Sequence, residues 1–281
     1  RELTQLQSAL QNQIEKHGSH VFKEGAVVIP GAVHINTKYH SLKLASTFAS
    51  ETIDPSQYFN ATTPVTITGA TTGVTAVVIG FDAATSTDQP TLYLRYVNTG
   101  TDNVTNVFAD GENISADAGI THTSSYSSSA TSATTFTSLF SAAAGSSAAN
   151  LASSTGPASR RGSAFHIEAG VYYIRGFFVT CLEETLVLDK YDNTPSYRIG
   201  FTITETLVTP ESDTTLLDNA TGANNFAAKG AHRLKIALSL GKLARGSTAD
   251  SSFVDLMDVK QGVVQHYVRQ TEYAVLEETF A

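Results

Sequence analysis

The segment from residue 163 to 210 limits the fold of this chain most strongly, because β-branched and aromatic residues dominate it. After a turn at residues 193–195, apolar side chains occupy alternate positions: Tyr197, Ile199, Phe201, Ile203 and Leu207. Such alternation is typical of a β-strand with one buried face. Earlier in the segment, the neighbours Tyr172 and Tyr173 would point to opposite faces of a strand. We therefore expect a sheet that is covered on both sides.

The first residues predict an amphipathic helix over positions 2–17, followed by Gly18 as its stop signal. Its apolar residues recur at steps of three and four: Leu3, Leu6, Leu10 and Ile14. This stripe could form a short bundle with copies of the chain, but it is shorter than the three or four heptads typical of a coiled coil. Docking on the chain's own sheet or on a neighbouring subunit is the favoured interpretation.

Short strand patterns separated by turn residues follow the helix. One meander is predicted over residues 26–44, and evenly spaced strands between residues 64 and 97 indicate a compact barrel or sandwich module at 60–120. Residues 121–162 are dominated by Ser, Thr and Ala, which bury little apolar surface against the entropy cost of ordering. We expect a surface arm there, ordered by another subunit through three anchors: Phe136, Leu139 and Phe140.

Strand signals return towards the end of the chain. Leu234, Ile236, Leu238 and Leu240 alternate with polar or small residues, which predicts a strand that ends at Gly241. Gln261-Gly262 predicts a hairpin turn. Thr271 is a candidate cap for a last helix, whose apolar residues are Tyr273, Leu276 and Phe280.

These patterns together predict a mainly β protein with an N-terminal amphipathic helix, a C-terminal helix and antiparallel sandwich- or barrel-like sheets. We divide it into a helix and meander at 1–59, an inserted small β module at 60–120, an arm at 121–162 and a β core with the C-terminal helix at 163–281.

Charge and cysteine content exclude several classes of protein. The formal net charge is −8, whereas nucleic-acid-binding surfaces carry clustered Lys and Arg. The single cysteine, Cys181, excludes an internal disulfide, and its apolar strand predicts an inert thiol. Because no apolar run approaches 18 residues and no secretory leader opens the sequence, we expect neither a membrane span nor secretion.

No residue set predicts catalysis. His17 and His20 have a spacing compatible with one edge of a metal site, but no further ligands lie near them in the sequence. A Gly-x-Ser-x-Gly elbow and phosphate-binding glycine loops are absent. The acidic pairs Glu183-Glu184 and Glu277-Glu278 are interpreted as solvated charges. We therefore predict no catalytic, cofactor-binding or metal-binding residue, no cofactor and no enzymatic activity.

Three stretches resemble virion structural proteins of contractile-tailed bacteriophages, particularly those that infect cyanobacteria. They are residues 1–8 with 22–31, residues 168–176 with 186–197, and residues 230–236 with 271–280. Proteins of this kind are described as tail or baseplate components that contain a domain of unknown function. The resemblance covers both ends and the middle of the chain and leaves roughly residues 60–160 as an insertion.

The resemblance implies a role in assembly: a baseplate wedge or tail-fibre-connecting protein, located in the virion tail or baseplate and assembled in the host cytoplasm. Its expected partners are other tail and baseplate proteins and copies of itself, for instance in a trimer, without nucleic acid or membrane. The candidate subunit contacts are Leu3, Leu6, Leu10, Ile14, Phe136, Leu139 and Phe140. The alternative is a receptor- or glycan-binding tail fibre module, with Tyr93 and Tyr96 forming an exposed platform for sugars.

Overall fold

The structure, a computed structural model, describes residues 2–29, 31–48, 51–117, 123–126, 134–137, 147–149, 157–248, 251–267, 275 and 279–280. Within these residues the chain is mainly β, with antiparallel sheets and one α-helical element at the N-terminus. It divides into two compact units. The terminal unit comprises Arg1–Ile35, Phe165–Leu188 and Thr194–Ala281, and the insert unit comprises Asn36–Ala164 and Asp189–Asn193.

The elements follow one another along the chain with short connections. The first part contains α1 (Glu2–Val21), β1 (Ala26–Ile29), β2 (Val33–Lys43), β3 (Thr47–Phe48), β4 (Glu51–Thr52), β5 (Thr66–Gly69), β6 (Thr75–Asp82), β7 (Thr91–Asn98), β8 (Asn113–Ala116), β9 (Thr123–Tyr126), β10 (Thr134–Thr137) and β11 (Ser147–Ala149). The second part contains β12 (Ser159–Ile167), β13 (Gly170–Ile174), β14 (Phe177–Cys181), β15 (Glu184–Asp189), β16 (Tyr197–Val208), β17 (Arg233–Ala244), β18 (Phe253–Lys260) and β19 (Val263–Tyr267). Two short 3-10 turns, Pro55–Tyr58 and Thr214–Leu216, lie in loops.

The insert unit is built on an antiparallel sheet in which β11, β8, β5, β6, β7 and β2 lie side by side in that order. The strands predicted between residues 64 and 97 are confirmed as β5, β6 and β7. One face of this sheet carries a core of its own, whose largest fully buried members are Leu42, Leu44, Ile67, Leu92, Leu94 and Ile114. The predicted division at 60–120 thus falls inside a larger compact unit.

The terminal unit contains a three-stranded sheet of order β1-β13-β14 and a four-stranded sheet of order β17-β16-β18-β19. Its separate core includes Phe165, Ile174, Ile199 and Phe201. The predicted burial of Tyr172 and Tyr173 is confirmed, because both side chains are at most 3% exposed. Tyr172 packs edge-on against Phe201, with 4.7 Å between ring centroids. Tyr173 points the other way, towards the C-terminal end of α1.

The prediction that Gly18 ends the first helix is wrong, since α1 continues to Val21. A Cβ atom on Gly18 would lie 2.6 Å from the Tyr173 ring, well inside contact distance. Gly18 therefore lets the helix approach the ring closely and does not terminate it. The Tyr173 hydroxyl donates a hydrogen bond to the Glu15 carbonyl (3.0 Å), and Phe22 packs on the same ring at 5.4 Å.

The strand predicted from Leu234 is confirmed as β17, but it continues past Gly241 to Ala244. Its pairing with β16 extends without a break from Val208–Arg233 to Tyr197–Ala244, so the ladder carries the strand through the glycine. The hairpin at Gln261-Gly262 is confirmed. Both residues have positive φ angles, 50° and 75°, as a tight two-residue turn between β18 and β19 requires.

Two predictions fall mainly on residues outside those described. No α-helix other than α1 is assigned in the described part of the chain, and the residues on which the C-terminal helix was predicted, 271–274 and 276–278, lie outside it. In the predicted arm, β9 pairs with β10, and β11 pairs with β8. The sheets of the described residues are open, so no closed barrel is formed among them.

Candidate contact surface

An apolar stripe on α1 faces solvent. Leu6 is 66% exposed, Leu10 is 55% exposed and Ile14 is 41% exposed. These residues are four positions apart, so their side chains form one continuous line along the helix. We refer to Leu6, Leu10 and Ile14 as the α1 stripe. Three large apolar side chains in one line are more than the scattered exposure that is normal on a protein surface.

The α1 stripe lies on a different side of the helix from the face that docks on the sheet. The docking face is formed by Glu15, Gly18 and Phe22, which meet Gly176 and Tyr173 of the β13–β14 hairpin. At about 100° per residue, its centre lies roughly 110° around the helix axis from the centre of the stripe. The favoured interpretation in which the stripe docks on the chain's own sheet is therefore not what the helix does.

Most of α1 projects away from the rest of the terminal unit. Of the side chains from Gln5 to Val21, which are those described in α1, Gly18 alone is buried. A helix of this length gains little stability from its backbone alone, and helices in proteins depend mainly on packing of an apolar face. The first three turns of α1 therefore present an apolar face that another surface can stabilise.

The remaining candidate contacts lie outside what the structure describes in side-chain detail. Leu3 belongs to α1, and Phe136 belongs to β10, but their side chains are outside the described set. Leu139 and Phe140 lie wholly outside the described residues. Of the seven predicted contacts, the structure thus brings Leu6, Leu10 and Ile14 together on one surface.

The aromatic platform considered for sugar binding is not available on the insert unit. Tyr93 is 3% exposed, and its hydroxyl donates to the Asp82 carboxylate at 2.6 Å. Tyr96 is partly buried between His40 and Phe108, with ring centroids 4.9 Å and 5.5 Å away. Alternation along β7 identified the strand correctly but did not distinguish the core face from the solvent face.

A charged network joins the segment 189–193 to the strands of the insert unit. The Asp88 carboxylate accepts hydrogen bonds from Tyr191 (2.7 Å) and Lys190 (3.3 Å) and pairs with buried Lys43 at 3.2 Å. Burial raises the pKa of Asp88, but the hydrogen bonds from Tyr191, Lys43 and Lys190 outweigh it and hold the pKa below its usual value. Every charge in this network faces an opposite charge, so its role is structural.

Cys181 is buried in β14, and burial raises the pKa of its thiol to about 11. A neutral, buried thiol is a poor nucleophile. His17 and His20 are exposed on α1. Among the described residues, no three His, Cys, Asp or Glu side chains are placed to hold a metal ion. No helix in this part of the chain is long and apolar enough to span a bilayer.

One acidic residue has a role that was not predicted. Glu184 was interpreted as a solvated charge, but its carboxylate accepts a hydrogen bond from the Leu240 backbone N–H at 3.1 Å. β17 is an outer strand of its four-stranded sheet, so its outward N–H groups need partners from elsewhere. Sequence gives no signal for this pairing, because 56 residues separate the two groups.

Comparison with known proteins provides one similarity. The model of a protein family described as a domain of unknown function (DUF4815) matches residues 155–281. No curated protein matches the chain, and no solved structure matches it. The matched segment contains β12 to β19 of the described strands.

Proposed function

We propose that this chain is a structural component of a contractile phage tail, acting as a baseplate wedge or tail-fibre-connecting protein through subunit–subunit contacts. The proposal makes it a non-enzymatic virion protein that assembles with other tail proteins and with copies of itself, for instance as a trimer. The resemblance of residues 1–8, 22–31, 168–176 and 230–236 to such proteins supports the class.

The single observation that carries the contact role is the exposed α1 stripe. Leu6 and Leu10 are more than half exposed on a helix that docks through another face. Covering these side chains with a neighbouring subunit would remove apolar area from water, which stabilises an assembly by about 25 cal/mol for each Å² buried. The helix itself would gain the packing that its first turns lack.

Incorporation into particles tests the proposal. Tails are assembled in cells that supply either the wild-type chain or the double variant Leu6→Glu/Leu10→Glu, and the amount of chain in purified tails is measured. We expect the double variant to fold but to be lost from tails, because two carboxylates in the stripe would have to be desolvated at the contact.

Val104→Glu is the matched control, since Val104 is a single exposed apolar residue on the insert unit, 79% exposed. This variant should enter tails as the wild type does. Normal incorporation of the Leu6→Glu/Leu10→Glu chain would contradict a role for the stripe in assembly. Absence of the wild-type chain from purified tails would contradict the proposed class of protein.

A further inference from the structure

A polar cavity lies on the four-stranded sheet of the terminal unit, far along the chain from the α1 stripe. It has a volume of about 450 Å³, and its lining includes Arg198, Arg245, Asp255, Asp258 and His266. The side chains come from β16, β18 and β19 and from the turn that follows β17. Cavities that hold small ligands typically have volumes of about 300–1,000 Å³.

A β-bulge contributes to the arrangement of the cavity. Along β16 and β18, Ile199 is opposite Met257 but Gly200 is opposite Asp255, so β18 contains one extra residue at this point. Without the bulge, Asp255 and Asp258 would point to opposite faces of the sheet, because they are three residues apart. Bulges re-aim side chains in this way and are enriched next to binding sites.

Gly200 makes the bulge possible. A Cβ atom at this position would lie inside the Val254 carbonyl oxygen's contact radius, so a larger residue could not be accommodated without moving the backbone. A glycine inside a strand often marks such a close approach. The sequence Ile199-Gly200-Phe201 therefore contains the signal for this site, although alternation alone does not reveal it.

Two planar ion pairs line the cavity. The Arg198 guanidinium donates to both oxygens of Asp255, at 2.9 Å from Nε and 2.5 Å from Nη2, and also to the Ser247 carbonyl at 3.1 Å. Arg245 donates to both oxygens of Asp258, each at 2.7 Å. Paired contacts of this kind fix the orientation of the donors and acceptors.

The charges of the lining define the class of ligand. Two guanidinium groups oppose two carboxylates, so an anion would have to displace an aspartate, and a metal cation would have to displace an arginine. A neutral hydroxyl group faces no such competition, since it can donate to a carboxylate lone pair and accept from a guanidinium N–H at the same time. Met257 adds an apolar patch to the lining.

From this geometry we propose that the cavity binds a neutral carbohydrate, through neighbouring hydroxyl groups that bridge the Arg198–Asp255 and Arg245–Asp258 pairs. The site is independent of the contact role of α1. The Gly246 backbone, at φ +84°, turns the chain at the edge of the cavity and leaves open space there, so a sugar attached to a longer chain can enter.

The test uses the full chain and the Nε–H signals of Arg198 and Arg245 in ¹H–¹⁵N spectra. Methyl α-glucoside, methyl β-galactoside and N-acetylglucosamine are titrated into millimolar concentrations, and phosphate and calcium chloride are titrated separately. We expect at least one sugar to shift both arginine signals, while phosphate and calcium leave them unchanged at the same concentrations.

Arg245→Gln should weaken binding of that sugar by about tenfold, as expected for the loss of a charge-assisted hydrogen bond. Its backbone spectrum should otherwise match the wild type, because Arg245 lies at the exposed end of the sheet. Glu211→Gln, which removes an exposed ion pair with Lys229 elsewhere in the terminal unit, is the control and should bind normally. No shift with any sugar, a stronger response to phosphate or calcium, or unchanged binding by Arg245→Gln would overturn the proposal.

Discussion

The insert unit buries charged groups, whereas the terminal unit exposes apolar ones. In the insert unit, buried Glu112 accepts hydrogen bonds from the backbone N–H groups of Thr71 (2.8 Å) and Ala109 (2.9 Å), and buried Lys43 pairs with Asp88. In the terminal unit, the α1 stripe faces solvent, and so do Leu207 and Leu234, which lie directly opposite each other on β16 and β17.

This difference separates two kinds of folding requirement. A buried charge must be satisfied within the fold, because an unpaired one costs several kcal/mol. An exposed apolar face can wait for a partner. The insert unit therefore satisfies its own polar groups, while the terminal unit presents the surface that an assembly would cover.

The two separate cores provide the strongest test of the comparison. Phe201 is fully buried in the terminal unit and contacts Tyr172, so Phe201→Ala should cost about 3–5 kcal/mol of unfolding free energy. In hydrogen exchange, β16 and β18 should lose protection while β6 and β7 keep theirs. Leu92→Ala, in the core of the insert unit, should give the opposite pattern. Equal loss of protection in both units would mean that they unfold as one.

The charged network should produce the next largest effect. Asp88→Asn leaves Lys43 and Lys190 without a counter-charge, and we expect a loss of about 2–3 kcal/mol, because the group is only partly buried. Urea unfolding monitored in the insert unit measures it. Glu211→Gln breaks a fully exposed ion pair in the terminal unit and should leave stability unchanged.

Acid provides a second measure of the same network. The pKa of Asp88 is lower in the folded chain than its ordinary value, so ionised Asp88 stabilises the fold at pH values above about 4. This contribution disappears as the pH falls through the lowered pKa of the folded state. The Asp88→Asn variant should lack that part of the pH dependence. An identical acid transition in both chains would show that Asp88 does not stabilise the fold in this way.

The docking of α1 gives a smaller effect with a diagnostic sign. In an isolated helix, Gly→Ala is stabilising by about 1 kcal/mol. Gly18→Ala should instead destabilise the chain by about 1–3 kcal/mol, because the added methyl group would collide with the Tyr173 ring. Gln13→Ala, on the exposed part of α1, is the control for helix propensity. Stabilisation by Gly18→Ala would contradict the close approach of the helix to Tyr173.

Local patterns predicted the elements better than they predicted their surroundings. Alternation identified β16 and β17, and Gln261-Gly262 identified a hairpin, since both signals depend on neighbouring residues. Gly18 and Gly200 were not interpreted correctly because the groups that require them, Tyr173 and Val254, are distant in sequence. A glycine that permits close packing has the same local pattern as one that ends an element.

The candidate surfaces show the same limit. The spacing of Leu6, Leu10 and Ile14 predicted one apolar stripe, but only the position of Gly18 against Tyr173 shows which face of α1 is docked. The polar cavity was missed because its arginine and aspartate residues meet across strands, and a bulge aims Asp255. Pairings of this kind depend on register, which a single strand's sequence does not define.

Thiol labelling of Leu10→Cys tests the central claim most directly. The parent chain supplies its own control, because buried Cys181, with its pKa raised to about 11, should react slowly with a maleimide. In the free chain, Cys at position 10 should label rapidly. In assembled tails it should be protected, because a neighbouring subunit covers the α1 stripe. Equally rapid labelling of position 10 in free chain and in assembled tails would contradict the account.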